Sequence, residues 1–232
     1  MQEIKQAERI QTSILNAAEK KVLVWLALRQ PKWMTSDILT AIGFFGAIVI
    51  SSGYVLTNLN VNFLWLASLG FVINWYGDSL DGTLARVRNT QRPIYGYYLD
   101  HTVDGINESL MFIGLGLSGL IHFPLALAIL VLYLLLTINV SVNAHLKKEF
   151  RLTYARLGPT EFRILGIIAN TLFVLIRPLR EFSVGISAFG VDVTLRTLDL
   201  VGIFVLLLLL VIYLVTIISD ARYYAGIDPK KD

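Results

Sequence analysis

Two of the long apolar stretches in this 232-residue chain each carry a pair of aspartates. A charge placed in hydrocarbon is expensive and is kept where it is paired or used. Composition says what the stretches are. Hydrophobic residues make up 55% of the chain and charged residues only 16%, against about 25% charged in an ordinary soluble domain. A soluble fold of this size has too little interior to hide that much apolar surface. A helix that spans a bilayer needs about 20 mostly apolar residues. Six windows meet that requirement: 37–57, 63–86, 95–121, 124–145, 161–179 and 198–219. The expected fold is therefore an all-α integral membrane protein with six transmembrane helices.

Basic residues orient the spans, because cytoplasmic loops are enriched in Lys and Arg. Lys5, Arg9, Lys20, Lys21, Arg29 and Lys32 precede the first window. Arg86, Arg88 and Arg92 lie between the second and third, and Lys147, Lys148, Arg151, Arg156 and Arg163 near the turn between the fourth and fifth. Arg177, Arg180 and Arg196 alone fall on the opposite side. Both termini are expected in the cytoplasm. Residues 1–32 read as an N-terminal amphipathic interfacial helix: Ile4, Ile10, Ile14, Leu15, Ala18, Val22 and Leu26 recur at helical spacing, with Pro31 as the stop. Residues 33–232 read as one six-helix membrane domain. No leader of the signal-peptide type is expected over residues 1–20, which are polar and charged. With no cysteine there is neither a disulfide framework nor a thiolate metal site. A net charge of +3 without a basic arm excludes a nucleic-acid partner.

The aspartates have a regular spacing. Asp78 and Asp81 stand one turn apart on one helix face, and Asp100 and Asp104 on another. A short turn between the two windows makes the helices antiparallel neighbours, with both pairs at similar depth. Four carboxylates that close cannot all stay ionised unaided. Oxygen ligands without His or Cys suit Mg²⁺, Mn²⁺ or Ca²⁺, and four acids can hold two ions of the kind that clamp a diphosphate. Gly82 removes a side chain beside the acids, and Arg86 adds a fixed cation one turn away.

Asp78-x-x-Asp81-Gly82-x-x-Ala85-Arg86, then Gly96-x-x-x-Asp100-x-x-x-Asp104, resembles the signature of the CDP-alcohol phosphotransferase family at every fixed position. The resemblance implies a membrane transferase of phospholipid synthesis with two divalent cations, Mg or Mn, working as a homodimer. An alcohol would attack the phosphorus next to the CDP-linked alcohol, and CMP would leave. It also implies that Asp78, Asp81, Asp100 and Asp104 are metal ligands and that Asp104 is a catalytic base. Gly82, Ala85 and Arg86 would line the nucleotide site. Asp37, in Ser36-Asp37-Ile38-Leu39-Thr40, would join them, although the family commonly has Asn there. The active site would face the cytoplasm and the inner leaflet.

Leu99-Asp100-His101-x-x-Asp104 is similar to the choline and ethanolamine phosphotransferase branch, in which the histidine is a second candidate base. Gly158-Pro159-Thr160-Glu161 is similar to a segment of the same branch. Glu161 is read as a substrate-binding residue, with a helix cap as the alternative. Arg163 and Arg151 are read as substrate-binding cations, with snorkelling as the alternative for Arg163. The branch implies transfer from a CDP-aminoalcohol to a diacylglycerol-type lipid. The alternative is transfer from CDP-diacylglycerol to glycerol phosphate, inositol phosphate or serine. Gly105, where members that use phosphorylated acceptors have a basic residue, weighs against the alternative. A divalent-cation transporter is the more distant rival. It would place its site near the midplane, with repeats that this sequence lacks, and would leave Gly82, Ala85 and Arg86 unexplained.

Overall fold

The computed structural model describes residues 8–10, 15–147, 149–151, 158–188 and 191–229. Helices carry the fold: α1 (Asn16–Arg29), α2 (Ser36–Leu56), α3 (Leu64–Arg88), α4 (Pro93–Leu117), α5 (Phe123–Lys147), α6 (Pro159–Leu175), α7 (Arg177–Glu181) and α8 (Thr197–Ile227). Strands β1 (Glu8–Ile10) and β2 (Glu149–Arg151) pair in parallel, while β3 (Ser183–Ala188) and β4 (Val191–Arg196) form an antiparallel hairpin with Ser183 opposite Arg196.

The described residues are thus mostly helical, consistent with an all-α membrane protein, with short strands added in two places. The hairpin fills the connection before the last helix, where side chains alternate in the period-two pattern of a strand: Ser183-Val184-Gly185-Ile186 and Asp192-Val193-Thr194-Leu195. Among the described residues, three helical stretches are long and apolar enough to cross a membrane: Ser36–Leu56, Phe123–Leu146 and Thr197–Ile227. Helices α3 and α4 coincide with the second and third apolar windows, but their charged residues dilute them. The fifth window is broken. Pro178 has no N–H for the helical ladder and its ring clashes with the preceding turn, so α6 stops at Leu175 and α7 starts anew.

The helix expected over residues 1–32 covers Asn16–Arg29, and Glu8–Ile10 are extended instead. Residues 1–7 and 11–14 lie outside the described residues, as do Lys148 and Arg156. One face of α1 sits on the bundle, burying Leu23 and Ala27 against Leu80 and Leu84 of α3. The indole of Trp75 donates to Glu19 (2.9 Å), and Arg88 donates to the carbonyls of Gln30 and Pro31 (both 2.9 Å) and of Met34. Val22, Trp25 and Leu28 stay exposed on α1.

Helices α2 and α3 meet backbone to backbone. A methyl group at Gly77 would overlap the Gly43 nitrogen and the Leu39 carbonyl oxygen. One at Gly46 would overlap the Asn74 backbone, and one at Gly53 would stand 2.5 Å from the Ala67 nitrogen. Small residues at these positions let the helices close in the way that membrane helices pack without a hydrophobic force between them. A buried chain, Tyr54 hydroxyl to Asn170 (3.2 Å) and Asn170 to Ser68 (3.2 Å), ties α6 to the same pair.

At the opposite end of the bundle, fully buried Asp199 accepts from the backbone nitrogens of His122 (2.7 Å) and Arg196 (2.8 Å) and pairs with His122 Nδ1 (2.8 Å). His122, still part-exposed, is therefore shared between solvent and this clamp between the α4–α5 turn and the start of α8.

The seam makes a prediction. Gly77→Val forces backbone apart where nothing can yield, so its unfolding temperature in detergent should fall well below that of the wild type, a destabilisation of about 1–3 kcal/mol or more. Gly226→Ala, in open space on α8, should leave that temperature unchanged or slightly raised.

Candidate metal and substrate site

The α3–α4 turn that aligns the aspartates is built by local chemistry. Asn89 ends α3 in the left-handed conformation (φ 55°) and donates its N–H to the carbonyls of Ala85 and Arg86. Pro93 then opens α4, where its fixed φ suits a first helical turn. The chain reverses within a few residues, and Asp78 faces Asp100 and Asp104.

Carboxylate oxygens of Asp78, Asp100 and Asp104 all lie within 4.8 Å of one another. Metal–oxygen bonds of about 2.1 Å for Mg²⁺ and up to about 2.6 Å for Ca²⁺ put opposite ligands roughly 4–5 Å apart. The cluster therefore fits a hard divalent cation. It borders a narrow cavity that Thr40, Gly43 and Asn107 also line.

Asp81 is not part of this cluster. Its two oxygens accept from Thr40 Oγ1 (2.7 Å) and from the Gly82 N–H. Asp78 and Asp100 are its charged neighbours. Gly82 and Ala85 sit one turn on, half-buried, and exposed Arg86 reaches back to the Thr83 hydroxyl (2.9 Å).

Arg163 does reach the cluster. Its guanidinium donates to Asp78 at 2.5 Å and to Asn74 Oδ1 at 2.8 Å, and both members of the ion pair are largely buried. Asn74 is itself held by the Gly43 carbonyl (2.9 Å).

Other sequence candidates stand elsewhere. Asp37 is exposed and pairs with Arg92 of the α3–α4 turn. Buried Glu161 holds two backbone amides, those of Leu15 and Gly158, each at 3.0 Å, so it caps α6 and fastens the start of α1. The cap reading left open in the sequence is what these contacts show. His101 donates from Nδ1 to the Tyr97 carbonyl (2.9 Å), stacks on the Tyr97 ring, and stands 3.9 Å from Asp100. It lines a separate groove of about 580 Å³ with Gly105, Thr137, Ser141 and His145. Helix α4 divides the two spaces: Asp100 and Asp104 face the cavity, His101 and Gly105 the groove. Arg151 belongs to β2, and its side chain lies outside the described residues.

Sequence reasoning missed Thr40 and Asn74, which hold Asp81 and Arg163. Both were findable: Thr40 lies one turn from Ser36, and Asn74 precedes Asp78 by one turn. Deeper along α4, Glu108 is paired with Tyr133 and has Asp78 and Arg163 as charged neighbours.

Residues 33–225 match the profile of the CDP-alcohol phosphatidyltransferase family. A segment of 97 residues is 34% identical to archaetidylinositol phosphate synthase from Methanothermobacter thermautotrophicus. The match covers 40% of this chain and 47% of that relative, so the chain spans about half of the relative's length.

The cap assigned to Glu161 is testable. Glu161→Ala should cost about 0.5–2 kcal/mol, the range for a lost helix cap, and should expose the start of α1 to limited proteolysis. Loss of turnover at unchanged stability and unchanged proteolysis would instead put Glu161 on the substrate.

Proposed function

The chain belongs to the CDP-alcohol phosphatidyltransferase family and is a phosphotransferase, and from that premise we propose that it moves a lipid phosphate from a CDP-linked lipid to a small polar alcohol, releasing CMP. The observation that carries the reading is the Asp78–Asp100–Asp104 cluster on the family's motif positions. The relative whose name gives its product as an inositol phosphate lipid supports this direction of transfer over transfer from a CDP-aminoalcohol. The position of His101 supports it too. In the aminoalcohol branch His101 is a second candidate base, yet it lines the groove while Asp104 lines the cavity.

The remaining architecture belongs to the same reading. Helices α2, α3, α4, α5, α6 and α8 are the six spans, with α1 lying in the interface and both termini in the cytoplasm. Two copies form a homodimer. The groove between α4 and α5 is apolar apart from Thr137, Ser141 and its two histidines, which suits a lipid chain reaching the site from the bilayer.

Asp78, Asp100 and Asp104 would hold a divalent cation, with Asp81 the fourth carboxylate beside them for a second. Bound there, such ions would neutralise the diphosphate and stabilise the charge that develops on the departing CMP. The protein's own groups do the rest. Gly82 leaves the backbone open where the diphosphate approaches, and Arg86 offers it a donor pair. Asp104 accepts the proton of the acceptor hydroxyl. The resulting oxygen forms a bond to the phosphorus next to the lipid, and the bond from that phosphorus to the CMP oxygen breaks. Arg163, buried beside Asp78, adds positive charge at the phosphate.

CMP release from purified protein in lipid nanodiscs with Mg²⁺ or Mn²⁺ tests this reading. CDP-diacylglycerol with inositol phosphate or glycerol 3-phosphate should yield CMP, chelation should stop it, and Asp78→Ala should lower it by at least about 100-fold. CMP only from CDP-choline or CDP-ethanolamine with diacylglycerol would contradict the proposed direction. His101→Ala should keep most of the turnover; a loss comparable to that of Asp104→Ala would restore His101 as the base.

A further inference from the structure

Among the described residues, three buried side-chain atoms have no hydrogen-bond partner: Asn107 Oδ1, Glu108 Oε2 and Arg163 NH1. All three belong to residues beside the aspartates, but Asn107 alone lines the cavity that Asp78, Asp100 and Asp104 border. It is 4% exposed. A buried amide oxygen without a partner loses its water and gains nothing in return, so native structures rarely leave one.

The position is set by the helix. Asp100, Asp104 and Asn107 are spaced to share one face of α4, and Asn107 continues that face by one turn beyond Asp104. The cavity is too narrow for an organic group. What fits among three carboxylates and an amide is a small cation. Hard divalent ions accept Asn carbonyl oxygens together with carboxylates, and a neutral oxygen completes the shell without adding to the repulsion among the acids.

We propose that Asn107 is a metal-ligating residue, its Oδ1 binding the divalent cation that Asp78, Asp100 and Asp104 hold. The inference rests on the metal reading of the proposed function and extends it to a residue outside the family motif. It accounts for a buried amide oxygen that has no partner among the described residues. Asn107 would supply that oxygen from one turn further along α4 than Asp104.

The test is Mn²⁺ binding to the full-length protein in detergent, followed by the electron paramagnetic resonance signal of free Mn²⁺. No nucleotide or lipid substrate is present, so the readout does not depend on turnover. The relevant Mn²⁺ site is the tightest one, and Asp78→Ala should abolish it. Asn107→Leu, similar in size but without the oxygen, should weaken it by about 10–100-fold, the range seen when support for a metal site is removed. Asn107→Asp keeps an oxygen at the same place and should bind within about threefold of the wild type or more tightly. Thermal unfolding without metal checks that the variants fold, and Asn107→Ala replaces the leucine variant if that one does not. Wild-type affinity in Asn107→Leu would overturn the proposal. So would equal loss in the leucine and aspartate variants, which would mean that the site needs only the shape of asparagine. A wild-type protein with no Mn²⁺ site sensitive to Asp78→Ala would overturn the metal reading itself, and this proposal with it.

Discussion

Three carboxylates within 4.8 Å of one another repel, and the rest of the molecule holds them together against that force. At an effective dielectric of about 20, two unit charges roughly 4–5 Å apart cost about 3–4 kcal/mol. All three are only part-buried, so water screens some of that cost. Arg163 offsets part of it through Asp78. The remaining negative charge is what suits the cluster to a divalent cation.

The scaffold that bears this repulsion is the glycine seam between α2 and α3. Because the two backbones touch at Gly43 and Gly77, Asp78 is carried on a rigid pair of helices, and Thr40 of α2 comes within reach of Asp81. The tight α3–α4 turn then brings Asp100 and Asp104 across. Helix α6, tied to the seam through Asn170, presents Arg163 from the third side. Helix α4 serves two spaces at once, acids toward the cavity and His101 toward the groove. On the proposed reading, that arrangement sets a charged reaction and an apolar chain on opposite faces of one helix.

The grouping of Asp78 with Asp100 and Asp104 was legible in the sequence because helical geometry converts spacing into a shared face and a short turn converts adjacency into depth, whereas Asp81 is taken by Thr40 instead. The six helical windows were legible for a similar reason, since long apolar runs have few ways to fold. Long-range partners decided the rest. Glu161 looks like a site acid on its own helix, but it is claimed by the Leu15 and Gly158 amides. Asp37 sits in the right segment, but Arg92 pairs with it from another turn. His101 neighbours Asp100 in sequence, and for that very reason points to a different face. The break at Pro178 was readable from its chemistry, whereas the β3–β4 hairpin was hidden because its alternating residues lie between two strongly apolar helices. Asn107 was visible as a face-sharing residue; its unpartnered Oδ1 among the described residues was not.

The central claim is that Asp78, Asp100 and Asp104 form one metal site. Crystals grown with Mn²⁺ and CDP, measured at the manganese absorption edge, test it most directly. The account predicts an anomalous peak bounded by those three carboxylates, with the diphosphate of the nucleotide beside it on the Gly82–Arg86 side. Bound nucleotide with no peak among the three aspartates, or a peak elsewhere while Arg163 stays on Asp78, would contradict it.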